Sequence, residues 1–153
     1  KHVKKIIIGT TFYRDFYINN SSKATKKDYA KDLINLIESF NEKGIITYLI
    51  GPIPTPQFNF ASKASRGLKF SHLTISDYKD FSSIEREQFI ESIDIFDKLL
   101  TENLGNHYLR AHEYFCDINH CYFGDKGGAF FSDTNHLGKY GLERINPLFE
   151  NIQ

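Results

Sequence analysis

Apolar positions along the 153 residues switch between strand-like runs and helix-like periods. Lys4-Lys5-Ile6-Ile7-Ile8-Gly9 is short, β-branched and closed by glycine, which predicts a buried parallel strand. From Thr25 to Phe40 the residues Tyr29, Leu33, Leu36, Ile37 and Phe40 recur at helical spacing. Thr25 with Asp28 predicts an N-terminal capping box there, and Gly44 a stop. Ile45 to Ile50 is a second strand, ended by Gly51-Pro52-Ile53-Pro54-Thr55-Pro56 because proline cannot donate to a ladder. Residues 57 to 82 show no clear period and are rich in Ser, Lys and Phe; a loop of that length predicts a lid or binding segment. A second helix is predicted from Ser83 to Leu104, with Ile84, Ile93, Phe96, Leu100 and Leu104 as its apolar stripe and Gly105 as its cap. His107-Tyr108-Leu109-Arg110 reads as a third strand. A last helix is seeded after His136, with Leu142, Ile145, Phe149 and Ile152 on one face and Pro147 bending or shortening it.

Strands alternating with helices predict an α/β fold: a parallel sheet with right-handed crossovers and helices on both faces. Ligands in such sheets sit beyond the carboxyl ends of the strands. That edge carries Gly9-Thr10-Thr11, the proline-rich loop and the segment after Cys116.

Composition narrows the partners. The length fits a single domain spanning 1–153. Nineteen basic residues balance nineteen acidic ones, so no overall field draws the chain to nucleic acid or an anionic membrane. The apolar runs are too short to span a bilayer. The chain opens on Lys1 rather than Met and is expected to be a piece of a longer protein. Its two cysteines, Cys116 and Cys121, lie close together. They suit either a local disulfide in an oxidising compartment or two free thiols.

The candidate chemistry lies in the segment DINHCYFGDKGGAFFSDTNH, which holds Asp-x-x-His twice, as Asp117 to His120 and as Asp133 to His136. At this spacing a carboxylate can hold one ring nitrogen and leave the other facing a hydroxyl. Asp133 precedes a predicted helix, so the bland alternative is an N-capping Asp beside an exposed His. Asp117-Ile118-Asn119-His120 is wedged between the cysteines with no helix directly after it, which marks His120 as a surface residue. A third reading takes His112, Cys116, His120 and Cys121 as a zinc site, although adjacent His120 and Cys121 fit the usual ligand spacings poorly.

Context separates the copies. Cys116-x4-Cys121, a Gly-rich bend, Phe131-Ser132-Asp133-x-x-His136-Leu137 and then Gly141 inside a helix resemble the C-terminal end of the SGNH hydrolase-like domain attached to membrane acyltransferases of the acyltransferase-3 family. Gly51-Pro52-Ile53-Pro54 resembles the proline-containing turn after that family's fourth strand. Two departures stand out. Gly138 occupies the place of the family's Ser after His-Leu, and the Gly-Asp-Ser nucleophile motif is absent. Gly9-Thr10-Thr11 matches the third strand of the family fold better than the first.

The resemblance implies a partial flavodoxin-like, SGNH-type three-layer domain, whose first strands and serine are expected upstream of Lys1. It implies Asp133 and His136 as the catalytic pair, with an oxyanion group from the loop after Gly9, among Thr10, Thr11 and Phe12. It implies acyl, above all acetyl, transfer to hydroxyls of cell-surface glycans outside the cytoplasm, with neither cofactor nor metal. The implied partners are an acylated donor, a glycan acceptor and a membrane acyltransferase domain of the same parent chain, with no nucleic acid. Lacking its first strands, the isolated chain is expected to be inactive and to self-associate through the Ile6 to Ile8 edge. The alternatives are a non-catalytic glycan-binding domain and a zinc-stabilised interaction domain.

Overall fold

A computed structural model describes residues 3–9, 23–56, 58–70, 82–125, 127–150 and 152. In chain order the elements are β1 (Lys5–Ile8), α1 (Lys23–Asn41), β2 (Ile46–Ile50), α2 (Phe60–Phe70), β3 (Ser83–Glu85) and α3 (Arg86–Leu104). They continue with β4 (Tyr108–Leu109), β5 (His120–Tyr122), β6 (Gly124–Asp125), β7 (Gly128–Ala129), α4 (Lys139–Ile145) and α5 (Pro147–Glu150). Contacts divide the chain into two compact units, Lys1–Pro52 with Ile90–Arg110 and Ile53–Phe89 with Ala111–Gln153.

The first unit holds the parallel sheet, in the order β1-β2-β4. Lys5 pairs with Ile46 and Ile8 with Leu49, then Leu49 pairs with Tyr108. Leu49, on the middle strand, is fully buried among Ala30, Leu33, Ile34 and Ile37 of α1 and Phe96, Leu100 and Leu104 of α3. Those α1 residues follow the i, i+3, i+4, i+7 stripe of a helix packed on a sheet. Leu36, expected in the stripe, instead points outward at 43% exposure. The helix starts at Lys23, so the expected Thr25–Asp28 box lies inside its first turns and not at its start. Its end is as expected. Gly44, at φ +74°, donates to Asn41 O (2.9 Å) and Ile45 N donates to Phe40 O (3.0 Å), the paired bonds that let a left-handed glycine close a helix.

Beyond β2, Gly51 makes room for an aromatic ring. A Cβ there would lie 2.6 Å from the Tyr108 hydroxyl oxygen and 2.8 Å from Tyr108 Cζ. That hydroxyl donates to Asp97 Oδ1 (2.8 Å), while Arg110 Nη2 donates to Asp97 Oδ2 (3.0 Å). The end of the sheet is thereby tied to α3 through one carboxylate.

The second unit is built around phenylalanine. Phe60, Phe115, Phe123, Phe130, Phe131 and Ile145 form its core, with edge-on ring pairs such as Phe115–Phe130 at 5.7 Å. Two expectations are corrected here. The aperiodic stretch from 57 to 82 contains α2, whose start is capped by Asn59 Oδ1 accepting the Ser62 N–H (2.9 Å); positions 57 and 71–81 lie outside the described residues. The second helix begins at Arg86, because Ser83–Glu85 forms β3 and pairs antiparallel with β5, Ser83 opposite Tyr122 and Glu85 opposite His120. Ile84 therefore belongs to a strand, and pairing with a distant segment overrides its helical period. The last helix does break at Pro147, giving α4 and α5. Ile145 and Leu148 are buried, whereas Leu142 is 56% exposed and does not join the expected face. No helix of the described residues is long and apolar enough to cross a membrane.

Gly51→Ala is expected to destabilise the fold by about 1–3 kcal/mol, the usual result of forcing atoms into a filled site. Chemical denaturation of both proteins would measure it, and an unchanged midpoint would show that Tyr108 can retreat freely.

Candidate active site

The segment from Phe130 to Gly138 doubles back on itself. Gly138 N donates to Phe130 O (2.8 Å), Phe131 bridges Leu137, and Ser132 N donates to His136 O (2.9 Å). Asp133 closes the tip. Its Oδ1 accepts the backbone N–H groups of Asn135 (2.9 Å) and His136 (2.8 Å), and its Oδ2 lies 2.7 Å from His136 Nδ1. The two backbone amides first, then the imidazole bond, pull the Asp133 carboxyl from its ordinary 3.8 down to about 2. An ionised carboxylate only accepts, so the proton in the 2.7 Å contact sits on Nδ1. In the neutral ring Nε2 is then a free base, on a side chain that is 73% exposed.

Gly141 allows α4 to seat against this segment. A Cβ there would strike the Phe130 carbonyl oxygen and lie 2.7 Å from Leu137 Cδ2. The small residue early in the last helix therefore has a packing reason: it lets the helix backbone meet the strand end that carries Asp133.

The other copy makes the same turn and a different set of partners. Asp117 Oδ1 accepts the N–H groups of Asn119 (2.8 Å) and His120 (2.7 Å). Its Oδ2 accepts the Tyr122 hydroxyl at 2.6 Å. That bond and the two amides hold Asp117 near 2, and the same bond raises the Tyr122 phenol. His120 turns away, its Nε2 lying 3.3 Å from Glu85 Oε1 across the β3–β5 pair. Asp133 with His136 is thus the only Asp-x-x-His pair of the two whose side chains meet, and His120 is a half-exposed residue on a strand. The diversion by Tyr122 and Glu85 is absent from the sequence reading, since only the strand register puts Glu85 opposite His120.

Cys116 and Cys121 are joined in a disulfide and leave no thiolate for the zinc reading; His112 is buried in a 3-10 turn against the Phe89 ring. Among the described residues no cluster of His, Cys, Asp and Glu is arranged to hold a metal ion. Gly9 ends β1, while Thr10, Thr11 and Phe12, the expected oxyanion candidates, lie outside the described residues.

The family model described as "SGNH domain (fused to AT3 domains)" matches residues 2–151. No curated protein matches the chain. Among solved structures, the periplasmic domain of a lipopolysaccharide acetyltransferase from Salmonella ser. Paratyphi A aligns with TM-score 0.58 at 17% identity, over 97% of this chain and 55% of that one. At that identity the likeness is one of fold. The chain spans about half of that structure's length.

The folded-state pKa of Asp133 lies below its unfolded value. Its contribution to stability is therefore full above about pH 4 and fades as the pH falls through about 2. A carboxyl-carbon NMR titration should find Asp133 titrating near 2, with His136→Ala raising it only in part because the backbone amides contribute more than the imidazole. An ordinary carboxyl titration in that variant would reverse the order of those causes.

Proposed function

The chain belongs to the SGNH domain family that occurs fused to AT3 domains, and on that footing we propose that it supplies the Asp-His half of a Ser-His-Asp acyl-transfer site acting on cell-surface glycans. The observation that carries this is the 2.7 Å contact between Asp133 Oδ2 and His136 Nδ1, with Nε2 left open. No Gly-Asp-Ser occurs in residues 1–153, so the attacking serine comes from outside this stretch. Its hydroxyl gives its proton to His136 Nε2 as the oxygen adds to the acyl carbonyl, and Asp133 stabilises the imidazolium that forms. The donor leaves with that proton and an acyl-serine remains. A sugar hydroxyl then loses its proton to Nε2, attacks the acyl carbon and departs as the ester, while the leaving serine oxygen takes the proton back from Nε2. Backbone amides that come with the serine hold the oxyanion, where one lost donor typically costs roughly 3 kcal/mol.

This reading sets the domain on the extracytoplasmic side, tethered through an AT3 membrane domain of the parent that delivers the acyl group. The Cys116–Cys121 disulfide supports that compartment. Acetyl as the acyl group, esterase activity and an inactive isolated chain belong to the same proposal. So does self-association at β1, the end strand in the order β1-β2-β4, on which Ile7 is 47% exposed.

In the full-length parent, His136→Ala should lower acyl transfer by about a thousandfold or more, and Asp133→Asn should cost as much or less. His120→Ala should stay within a few-fold of wild type. Equal losses for the two His variants in a transfer assay would transfer the catalytic role away from His136. The isolated 153-residue chain should take no label from a serine-directed fluorophosphonate, and labelling at any Ser or Thr would place the nucleophile within it.

A further inference from the structure

Four residues beyond His136, the Tyr140 side chain is 44% exposed although it is aromatic and sits in the first turn of α4. Its ring lies against the tip of the β6–β7 hairpin. A Cβ on Gly128 would be 2.5 Å from Tyr140 Cε2 and 2.6 Å from Cδ2, and one on Gly127 would be 3.9 Å from Cδ1. Gly128 also has φ +148°, a conformation that disfavours any side chain. Two glycines therefore form a bare seat for one side of the ring, while the residue as a whole keeps 44% of its surface exposed. Lys139 Nζ, 5.9 Å from the ring centroid, belongs to a side chain that is 79% exposed and can move aside. The Tyr140 hydroxyl makes no hydrogen bond among the described residues.

The ring is held on one side by the glycine seat and left partly exposed on the other, an arrangement able to bind a flat, weakly apolar surface at small entropic cost. The C–H face of a pyranose is such a surface, with hydroxyls around it to meet the phenol and the Lys139 ammonium. The backbone between His136 and Tyr140 is fixed by the Gly138 bonds to Phe130 O and from Leu142 N. Four residues reach at most about 14 Å, within the span of a short oligosaccharide. We propose that Tyr140 is a stacking platform for a sugar ring of the acceptor glycan, one that sets which residue of the glycan presents its hydroxyl to His136. The assignment of the ring to an acceptor rests on the transfer reading above; the binding of sugar does not.

The test is an NMR titration of the 153-residue chain with cellotriose, a neutral oligosaccharide with apolar ring faces. The expected result is saturable shifts at the Tyr140 ring and the Gly128 amide. Tyr140→Ala should weaken binding by about tenfold or more, while Tyr140→Phe and Tyr140→Trp should stay within about threefold. Melting temperatures of the same variants separate lost binding from lost folding, and the Phe and Trp variants keep the test valid if the Ala variant unfolds. No shift at Tyr140, binding unaffected by Tyr140→Ala, or a Phe variant as weak as Ala would overturn the proposal. Because no acyl chemistry enters this measurement, sugar binding by a chain whose parent proves inactive would refute the transfer reading alone.

Discussion

One carboxylate organises the candidate site by dividing its two oxygens between backbone and imidazole. Asp133 Oδ1 collects two amide N–H groups and so fixes the turn, while Oδ2 takes the ring N–H and fixes the direction of His136. Each bond favours the ionised form, and the ionised form keeps all three bonds. The imidazole tautomer follows from this: an acceptor-only partner at Nδ1 puts the ring's free lone pair at Nε2. A histidine that is 73% exposed would otherwise rotate among conformers, so local hydrogen bonding replaces burial as the means of preorganisation here.

The loop that carries Asp133 is braced by what lies behind it. Phe130 and Phe131 are 2% and 1% exposed and pack into the aromatic core, while backbone bonds join Ser132 to His136 and Gly138 to Phe130. Gly141 lets α4 approach that strand end, and the break at Pro147 turns Ile145 and Leu148 inward. The frame is thus made of ordinary packing, and the polar tip stands on it in solvent. Before β5, the Cys116–Cys121 link and the Asp117 turn make a similarly constrained loop, yet its histidine makes a cross-strand contact with Glu85 instead.

Where a segment's preference and its packing agree, the elements were legible from the residues. The Ile6-Ile7-Ile8 strand (parallel as expected, though half-exposed and not buried), the helix closing at Gly44, the strand from Ile46 and the proline-rich turn after it all rest on local signals of chain geometry. The failures share a different origin. Ser83–Glu85 carries a residue of the expected helical stripe, but its backbone pairs with Tyr122, Cys121 and His120 some forty positions away. Helix α2 does place Phe60, Ala64 and Leu68 at helical spacing, but over only eleven residues within a long polar stretch, and its start is capped by Asn59. Leu142 faces water because the buried stripe of this segment runs through Gly141, Ile145 and Leu148, one position round the helix from it.

The site shows the same division at the scale of single side chains. Asp-x-x-His alone determines the turn: in both copies the Asp oxygen bonds the amides two and three residues on, an interaction contained in four consecutive residues. It does not determine where the imidazole goes. At His120 the β3–β5 register brings in Glu85, and the Tyr122 hydroxyl fills the second Asp117 oxygen; at His136 no such competitor arrives among the described residues and the ring returns to Asp133. Local sequence therefore fixed the two turns, and tertiary pairing decided which became a dyad, because a side chain's partner is chosen among all groups within reach, most of which are distant in the chain.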